Sequence, residues 1–306
     1  MDRPTVALKA RLLYLGITVL LCLGCSSTSS LAPVYQLLGD LTQCQPTDEK
    51  KTSIVGGKVV SLGDPDQKLV SMIKIRRDGK LHICTGALLS DRSILTAAHC
   101  VWGTEADDVR VSFVTNEGCQ AYHRRKLELE VESFSTHEDF DSTPQSFSDI
   151  AVLKLAGPAP KDAQRLPLLS TNETPSSDKL VLLGFGITAE DRKDSQVLRK
   201  IEKSLKDDVR AKDRTLVVDQ TSKKGGFCRG DSGAPLIVEL WNEPYILGVN
   251  SANIGLAKGQ ECQAASLAID VSNGHFRDWI SKTASEFERK EWWETVLNSL
   301  ALLLGD

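Results

Sequence analysis

Gly230-Asp231-Ser232-Gly233 decides how the chain is read, because Leu95-Thr96-Ala97-Ala98-His99-Cys100 and Asp149-Ile150-Ala151-Val152-Leu153-Lys154-Leu155 precede it. A serine hydroxyl is a poor nucleophile at neutral pH. It needs a base within hydrogen-bond reach and a third group that orients the base. The three segments supply one serine, one histidine and one aspartate, each in its own motif. Their order along the chain, His, Asp, Ser, is one of three unrelated orders in which such a triad occurs.

Outward from these motifs, short β-type runs recur at 69–75, 81–89, 93–96, 109–113, 127–131 and 150–155. A second set follows at 180–185, 197–201, 215–218, 235–239, 245–251 and 265–271, with Gly, Asn and Asp between the runs. Short strands at regular spacing predict an all-β architecture, and two sets of six predict two antiparallel barrels, roughly 54–158 and 159–272. Residues 274–283 and then 285–304 read as helical. Trp293, Val296, Leu297, Leu300, Leu303 and Leu304 recur at three and four, giving one apolar stripe. Two readings stand for this C-terminal extension, 284–306: a helix docked on the body, or an interaction or membrane-surface helix anchored by Trp292 and Trp293. The charged segments 190–194 and 202–212 are expected to be solvated loops or a short helix with no direct role. The basic cluster His123-Arg124-Arg125-Lys126 is too small to be a binding site by itself.

With 306 residues, 41% of them hydrophobic and 25% charged, the chain can bury a sizeable core, and disorder is not expected. A net charge of -4 excludes nucleic acid or an anionic membrane as the main partner. Residues 1–24 read as an export signal: Arg3, Lys9 and Arg11 precede an apolar run, 12–23, that falls short of the roughly 20 residues a membrane span needs. The alternative is an anchor helix that stays attached. Leu21-Cys22-Leu23-Gly24-Cys25, followed by Ser26-Ser27-Thr28-Ser29-Ser30, resembles a bacterial lipoprotein signal, with Cys22 an imperfect match. Lipidation of Cys25, which would tether the protein to a membrane, and ordinary signal-peptidase cleavage nearby both stand. The expected location is outside the cytoplasm: extracellular, periplasmic or anchored to the outer membrane. Residues 25–53 have little periodicity and read as a linker or propeptide.

Beyond Cys22 and Cys25, six cysteines form an even set: Cys44, Cys84, Cys100, Cys119, Cys228 and Cys262. In an exported chain this favours disulfides over a metal site. No pair has the spacing of a zinc knuckle and none of the five histidines completes one, so neither a metal nor a cofactor is expected.

Residues 54 to about 283 resemble a trypsin/chymotrypsin-type serine protease. Three motifs carry the resemblance: Ile54-Val55-Gly56-Gly57, Leu95-Thr96-Ala97-Ala98-His99-Cys100 and Gly230-Asp231-Ser232-Gly233. The resemblance implies a chymotrypsin-like fold and a serine endopeptidase acting on polypeptides. Ser232 would attack the scissile carbonyl, His99 would accept its proton, and Asp149 would orient His99. The backbone N–H groups of Gly230 and Ser232 would form the oxyanion hole. Asp231 would pair with the α-ammonium created when the chain is cut before Ile54.

That cut departs from the family pattern, since Ser53 stands where Arg or Lys is usual. A tryptic activator would cut after Lys50 or Lys51, and the extra residues would block a buried ion pair. The expected activator therefore prefers small residues, and is either another protease or the enzyme itself. The resemblance also pairs Cys84 with Cys100 and Cys228 with Cys262. This leaves Cys44 with Cys119, a link from the propeptide to the first barrel.

For the specificity pocket the resemblance points to Gly226, Phe227, Ser251, Asn253 and Ser266. Gly226 stands six before the nucleophile, where trypsins carry an aspartate, so cleavage after Arg or Lys is disfavoured. Phe227, Asn253 and Ser266 add bulk and narrow the pocket toward Ala, Val, Ser or Thr, with Leu or Phe the second choice. A protease-fold binding protein without turnover is the alternative, though such homologues usually lose a triad member or the oxyanion glycine, and this chain keeps all four. An esterase with the same triad is a third reading.

Overall fold

The structure, a computed structural model, describes residues 54–61, 63–114, 127–142, 147–221, 224–255 and 260–304, with side chains as far as 289. The export signal, Cys25, the propeptide, the Cys44–Cys119 pairing, the basic cluster at 123–126 and the apolar stripe beyond 290 lie outside the described residues or side chains.

After a two-residue strand β1 (Lys58–Val59), the first half of the chain forms β2 (Ser71–Arg77), β3 (Lys80–Leu88) and β4 (Ser93–Thr96). A helical turn α1 (Ala98–Val101) and the strands β5 (Val109–Ser112), β6 (Glu128–Thr136) and β7 (Ala151–Leu155) follow. The strands β2 to β7 close into a barrel in the order β2-β3-β4-β7-β6-β5. β7 shows why its sequence is apolar on both faces. Ala151, Leu153 and Leu155 point into the barrel interior, while Ile150 and Val152 join a second core between the two halves of the molecule. Lys154 interrupts the pattern. It is 2% exposed, and its ammonium lies 2.7 Å from Glu132 of β6, so the charge is paired rather than stranded.

The second half comprises β8 (Lys179–Gly184), β9 (Arg199–Ser204), a helical turn α2 (Leu205–Asp208), β10 (Val209–Lys212), β11 (Thr215–Asp219), β12 (Pro235–Leu240), β13 (Glu243–Ile254) and β14 (Ala265–Asp270). These strands form one antiparallel sheet in the order β1-β9-β8-β12-β13-β14-β11-β10. The six central strands are the six read from the sequence, and the short β1 and β10 flank them. β10 lies in the charged segment expected to be loop or helix. It pairs residue for residue with β11, and its charges suit an exposed sheet edge. Leu180, Leu182, Leu216, Val218, Phe227, Leu236 and Val238 fill the interior of this unit. The chain is therefore mostly β, as expected, with one closed barrel, a second barrel-like unit and a C-terminal helix.

That helix, α3 (Gly274–Leu304), runs without a break at 284. Asn273 caps its first turn by accepting from the His275 N–H at 3.1 Å. Phe276 and Ile280 are fully buried in the core between the two halves. Each contributes about 1.5–3 kcal/mol to holding the helix in place. Among the described residues no helix is long and apolar enough to cross a membrane.

Candidate active site

The pairing of β4 with β7 sets Thr96 opposite Ala151. The histidine just past the end of β4 thereby meets the aspartate just ahead of β7. His99 Nδ1 lies 2.7 Å from Asp149 Oδ2, and the His99 backbone N–H donates to Oδ1 at 2.8 Å. A third donor arrives from the other half of the molecule: Ser251 Oγ donates to Asp149 Oδ2 at 2.6 Å. Ser251 can reach because the β13–β14 ladder slips between Asn250 and Ala252, leaving it as the extra residue of a bulge. Asp149 is buried, while the His99 ring is 41% exposed. Nδ1 faces a carboxylate oxygen and carries the ring proton, which leaves the lone pair on Nε2. The disulfide Cys84–Cys100 ties the histidine turn to β3, and Cys100 Sγ lies 3.9 Å from His99 Nε2.

Ser232 lies across the cleft from His99, on a loop that β3 helps to hold. Thr85 donates its N–H to the Ser232 carbonyl at 2.8 Å and its hydroxyl to the Gly230 carbonyl at 3.2 Å. Gly230 has φ +100°, and a Cβ there would stand 2.8 Å from Gly186 Cα, so no other residue fits. Asp231 donates its N–H to the Cys228 carbonyl at 3.1 Å. The N–H groups of Gly230 and Ser232 have no protein acceptor among the described residues. His99, Gly230 and Ser232 line one cleft of about 690 Å³. No hydrogen bond joins Ser232 Oγ to His99 Nε2. Such bonds are often open in free enzymes and tighten around substrate.

The Asp231 side chain points away from the cleft and is fully buried. Gly186 N–H donates to its Oδ1 at 2.7 Å and Cys228 N–H to its Oδ2 at 2.9 Å. Burial nevertheless pushes the carboxyl up to about 7, against the pull of those two amides and of the Arg199 charge. Arg199 is itself buried and donates to the Gly186 and Val197 carbonyls. Ile54 is also fully buried, and the next residue, Val55, accepts from the Gly226 N–H at 2.8 Å. The Ile54 segment thus packs against the strip of chain, 226–228, whose last amide holds Asp231.

Of the residues expected to shape the specificity pocket, Gly226, Phe227, Ser251, Asn253 and Ser266 are not among those lining the cleft with His99 and Ser232; Asn253 and Ser266 sit opposite each other on β13 and β14, as a register pair. The Cys228–Cys262 disulfide closes this region. Phe227, expected to add bulk, is fully buried in the interior of the second unit. Gln220, which the sequence did not single out, takes a central place. Its Nε2 donates to the Phe227 carbonyl at 3.0 Å and the Cys262 carbonyl at 3.1 Å, which fixes the amide orientation. Its Oε1 would stand 2.2 Å from a Cβ on Gly226. Gln220 Oε1, Asn253 Oδ1 and Ser266 Oγ are all buried without a partner. Nothing in the spacing marks Gln220, because the contact depends on how β11 ends beside the disulfide.

The charged loop 190–194 is exposed at Asp191, Arg192 and Lys193, as expected of a solvated loop, but it runs beside the site. Glu190, Asp191, Arg192 and Lys193 line the cleft wall. Arg229 donates to the Glu190 carbonyl at 2.6 Å, and Glu190 Oε1 accepts from the Cys262 N–H at 3.0 Å. These ties hold a charged loop against the site that hydropathy alone would leave free.

Known proteins resemble the chain over the same region. Phenoloxidase-activating factor 3 of Holotrichia diomphalia is 29% identical over 228 residues, covering 65% of this chain and 63% of that protein. Trypsin of Sarcophaga bullata is 27% identical, covering 67% and 80% respectively. Transmembrane protease serine 9 of Rattus norvegicus is 28% identical over 80% of this chain but only 24% of its own length. This chain thus spans under two thirds of the first of these relatives and about a quarter of the last. Residues 54–280, which contain the two β units, the histidine turn and the serine loop, match the family model described as Trypsin, and the chain belongs to that family.

Proposed function

We propose that the protein is an exported serine endopeptidase that uses His99, Asp149 and Ser232. The observation that carries this reading is the histidine–aspartate pair: three donors converge on a buried carboxylate, and the imidazole it holds opens onto the cleft that Ser232 lines. Ser232 Oγ attacks the scissile carbonyl carbon as its proton passes to His99 Nε2. The developing oxyanion is met by the N–H groups of Gly230 and Ser232, a contribution of the kind whose loss costs about 10²- to 10³-fold in rate. Collapse of the tetrahedral intermediate breaks the C–N bond, and the proton on Nε2 goes to the leaving amine. Water then attacks the acyl-enzyme by the same steps, with His99 again the base.

Activation follows from the surroundings of Ile54 and Asp231. A cut between Ser53 and Ile54 frees an ammonium on a fully buried residue, and its proposed partner is the Asp231 carboxyl that burial has driven up to about 7. It also frees Ile54 from a φ of +48°, a conformation costly for a β-branched residue. The activator is a protease accepting Ser53, which includes this enzyme.

A neutral pocket follows from Gly226, Asn253 and Ser266, with Gln220 added at its base. None carries a charge to match Arg or Lys, and the bulk of Asn253 and Ser266 favours small side chains such as Ala, Val, Ser and Thr. Ser251 contributes through Asp149. The membrane tether through Cys25 belongs to the same proposal, as the way an exported form is held at a surface.

Labelling by a fluorophosphonate tests the nucleophile. The proposal expects one label on Ser232 in the cut protein and none in Ser232→Ala, and absence of labelling in the cut protein would leave only a protease-fold binding protein.

A further inference from the structure

The cleft that His99 and Ser232 line carries an excess of positive charge. Arg77, Arg192, Lys193 and Arg229 line it against two acidic residues, Glu190 and Asp191. The chain as a whole has a net charge of -4, so the excess is local. Arg192, Lys193 and Arg229 are exposed, and among the described residues no carboxylate forms an ion pair with any of the four cations. One of the two acids is already engaged: Glu190 Oε1 accepts from the Cys262 N–H at 3.0 Å, beside the Cys228–Cys262 disulfide.

The loop that supplies most of this charge is tied down at several points. Ile187 N–H donates to the Arg229 carbonyl at 2.9 Å, Arg192 N–H to the Ala189 carbonyl at 3.0 Å and Gln196 N–H to the Phe185 carbonyl at 2.8 Å. Asp194 closes the loop on itself, accepting from the Thr188 N–H at 3.1 Å and from the Thr188 hydroxyl at 2.7 Å. Arg229 is held from the other side, where its guanidinium donates to the Glu190 carbonyl at 2.6 Å. A cationic surface fixed in this way before a substrate arrives discriminates without the cost of ordering the loop on binding.

What lines the cleft also says which part of a substrate lies there. Gly226, Phe227, Asn253 and Ser266, assigned to the side chain before the scissile bond, are absent from its lining, whereas His99, which hands its proton to the leaving amine, belongs to it. The space between the charged loop and the start of β3 therefore receives the residues after the scissile bond. We infer that Arg192, Lys193 and Arg229 select polypeptides with Asp or Glu among the first few residues after the scissile bond and disfavour Lys and Arg there. This inference rests on the serine-endopeptidase reading above. An exposed ion pair contributes a factor of about 1.5 to 5, and like charges act in the opposite sense, so several cations together should separate acidic from basic substrates by at least about tenfold.

Peptides that share one sequence before the scissile bond and carry Asp-Glu, Ala-Ala or Lys-Lys at the second and third positions after it test the inference on the chain beginning at Ile54. At low salt kcat/KM should be at least about tenfold higher for the acidic than for the basic peptide. The difference should shrink in about 0.5 M salt, which screens exposed charges. It should reverse in the double variant Arg192→Glu/Lys193→Glu, whose substitutions lie at exposed positions. A peptide nitroanilide, which has no residue after the scissile bond, should be turned over equally by the parent and the double variant, separating selection from folding and catalysis. Fluorescence anisotropy of the same peptides on Ser232→Ala, again beginning at Ile54, reads binding without turnover. Absence of turnover with every peptide and with the anilide would contradict the endopeptidase reading, and the order of binding would still decide this one. Acidic and basic peptides that are cleaved and bound equally, or an order that charge reversal does not move, would overturn it.

Discussion

Asp231 makes the stability of the uncut chain depend on pH in a direction opposite to the usual carboxylate. Its carboxyl is fully buried and pushed up from 3.8 to about 7. Over about three pH units the folded chain holds a proton that the unfolded chain has lost. At about 1.4 kcal/mol per unit, Asp231 makes the uncut chain about 4 kcal/mol less stable at pH 7 than at pH 4, with no further change above about 7. Below pH 4 both states are protonated and the effect vanishes. The perturbation is Asp231→Asn, which removes the titration while keeping the shape. Urea unfolding followed by tryptophan fluorescence, from pH 4 to 8, would be run on uncut chains that both carry Ser232→Ala. Other groups titrate in this window, His137 among them, but they cancel in the difference between the two proteins. The parent should lose about 4 kcal/mol relative to Asp231→Asn as pH rises from 4 to 7. A chain cut before Ile54 should lose far less, because the new ammonium compensates the carboxylate. Parallel pH profiles for the uncut parent and Asp231→Asn would refute the linkage.

Further outcomes follow from the same geometry. Asp149→Asn should lower kcat by about 10⁴ at neutral pH with little change in KM, because the imidazole is then held in the wrong tautomer. Ser251→Ala removes one of three donors to Asp149 and should lower kcat/KM by about tenfold, read in the same peptide assay. In a panel of chromogenic peptides differing only at the residue before the scissile bond, Ser, Thr, Ala and Val should exceed Arg and Lys by at least about a hundredfold, and strong Arg turnover would overturn the pocket assignment.

Much of the fold was legible because short apolar runs alternate with turn residues. Each of the twelve runs is a strand in the structure. β1 and β10 were not, because a two-residue strand has no period to detect and β10 is an exposed edge whose charges read as loop. The His99 and Asp149 motifs were legible as motifs, and the β4–β7 register that joins them follows from ordinary antiparallel pairing. The contacts that complete the site were not. Ser251 reaches Asp149 through a bulge, and no local signal in the sequence announces one. Gln220 and Glu190 reach the site through backbone carbonyl and amide contacts of the Cys228–Cys262 region, formed only once two distant segments are joined.

Peptide hydrolysis by the chain beginning at Ile54, measured beside the uncut chain, tests triad catalysis and its activation together. Amide turnover of a peptide with Ser or Ala before the scissile bond should appear with the Ile54 terminus and be absent both in the uncut chain and in Ser232→Ala. Equal turnover by the uncut chain, turnover surviving Ser232→Ala, or no turnover from the Ile54-terminated protein would contradict it.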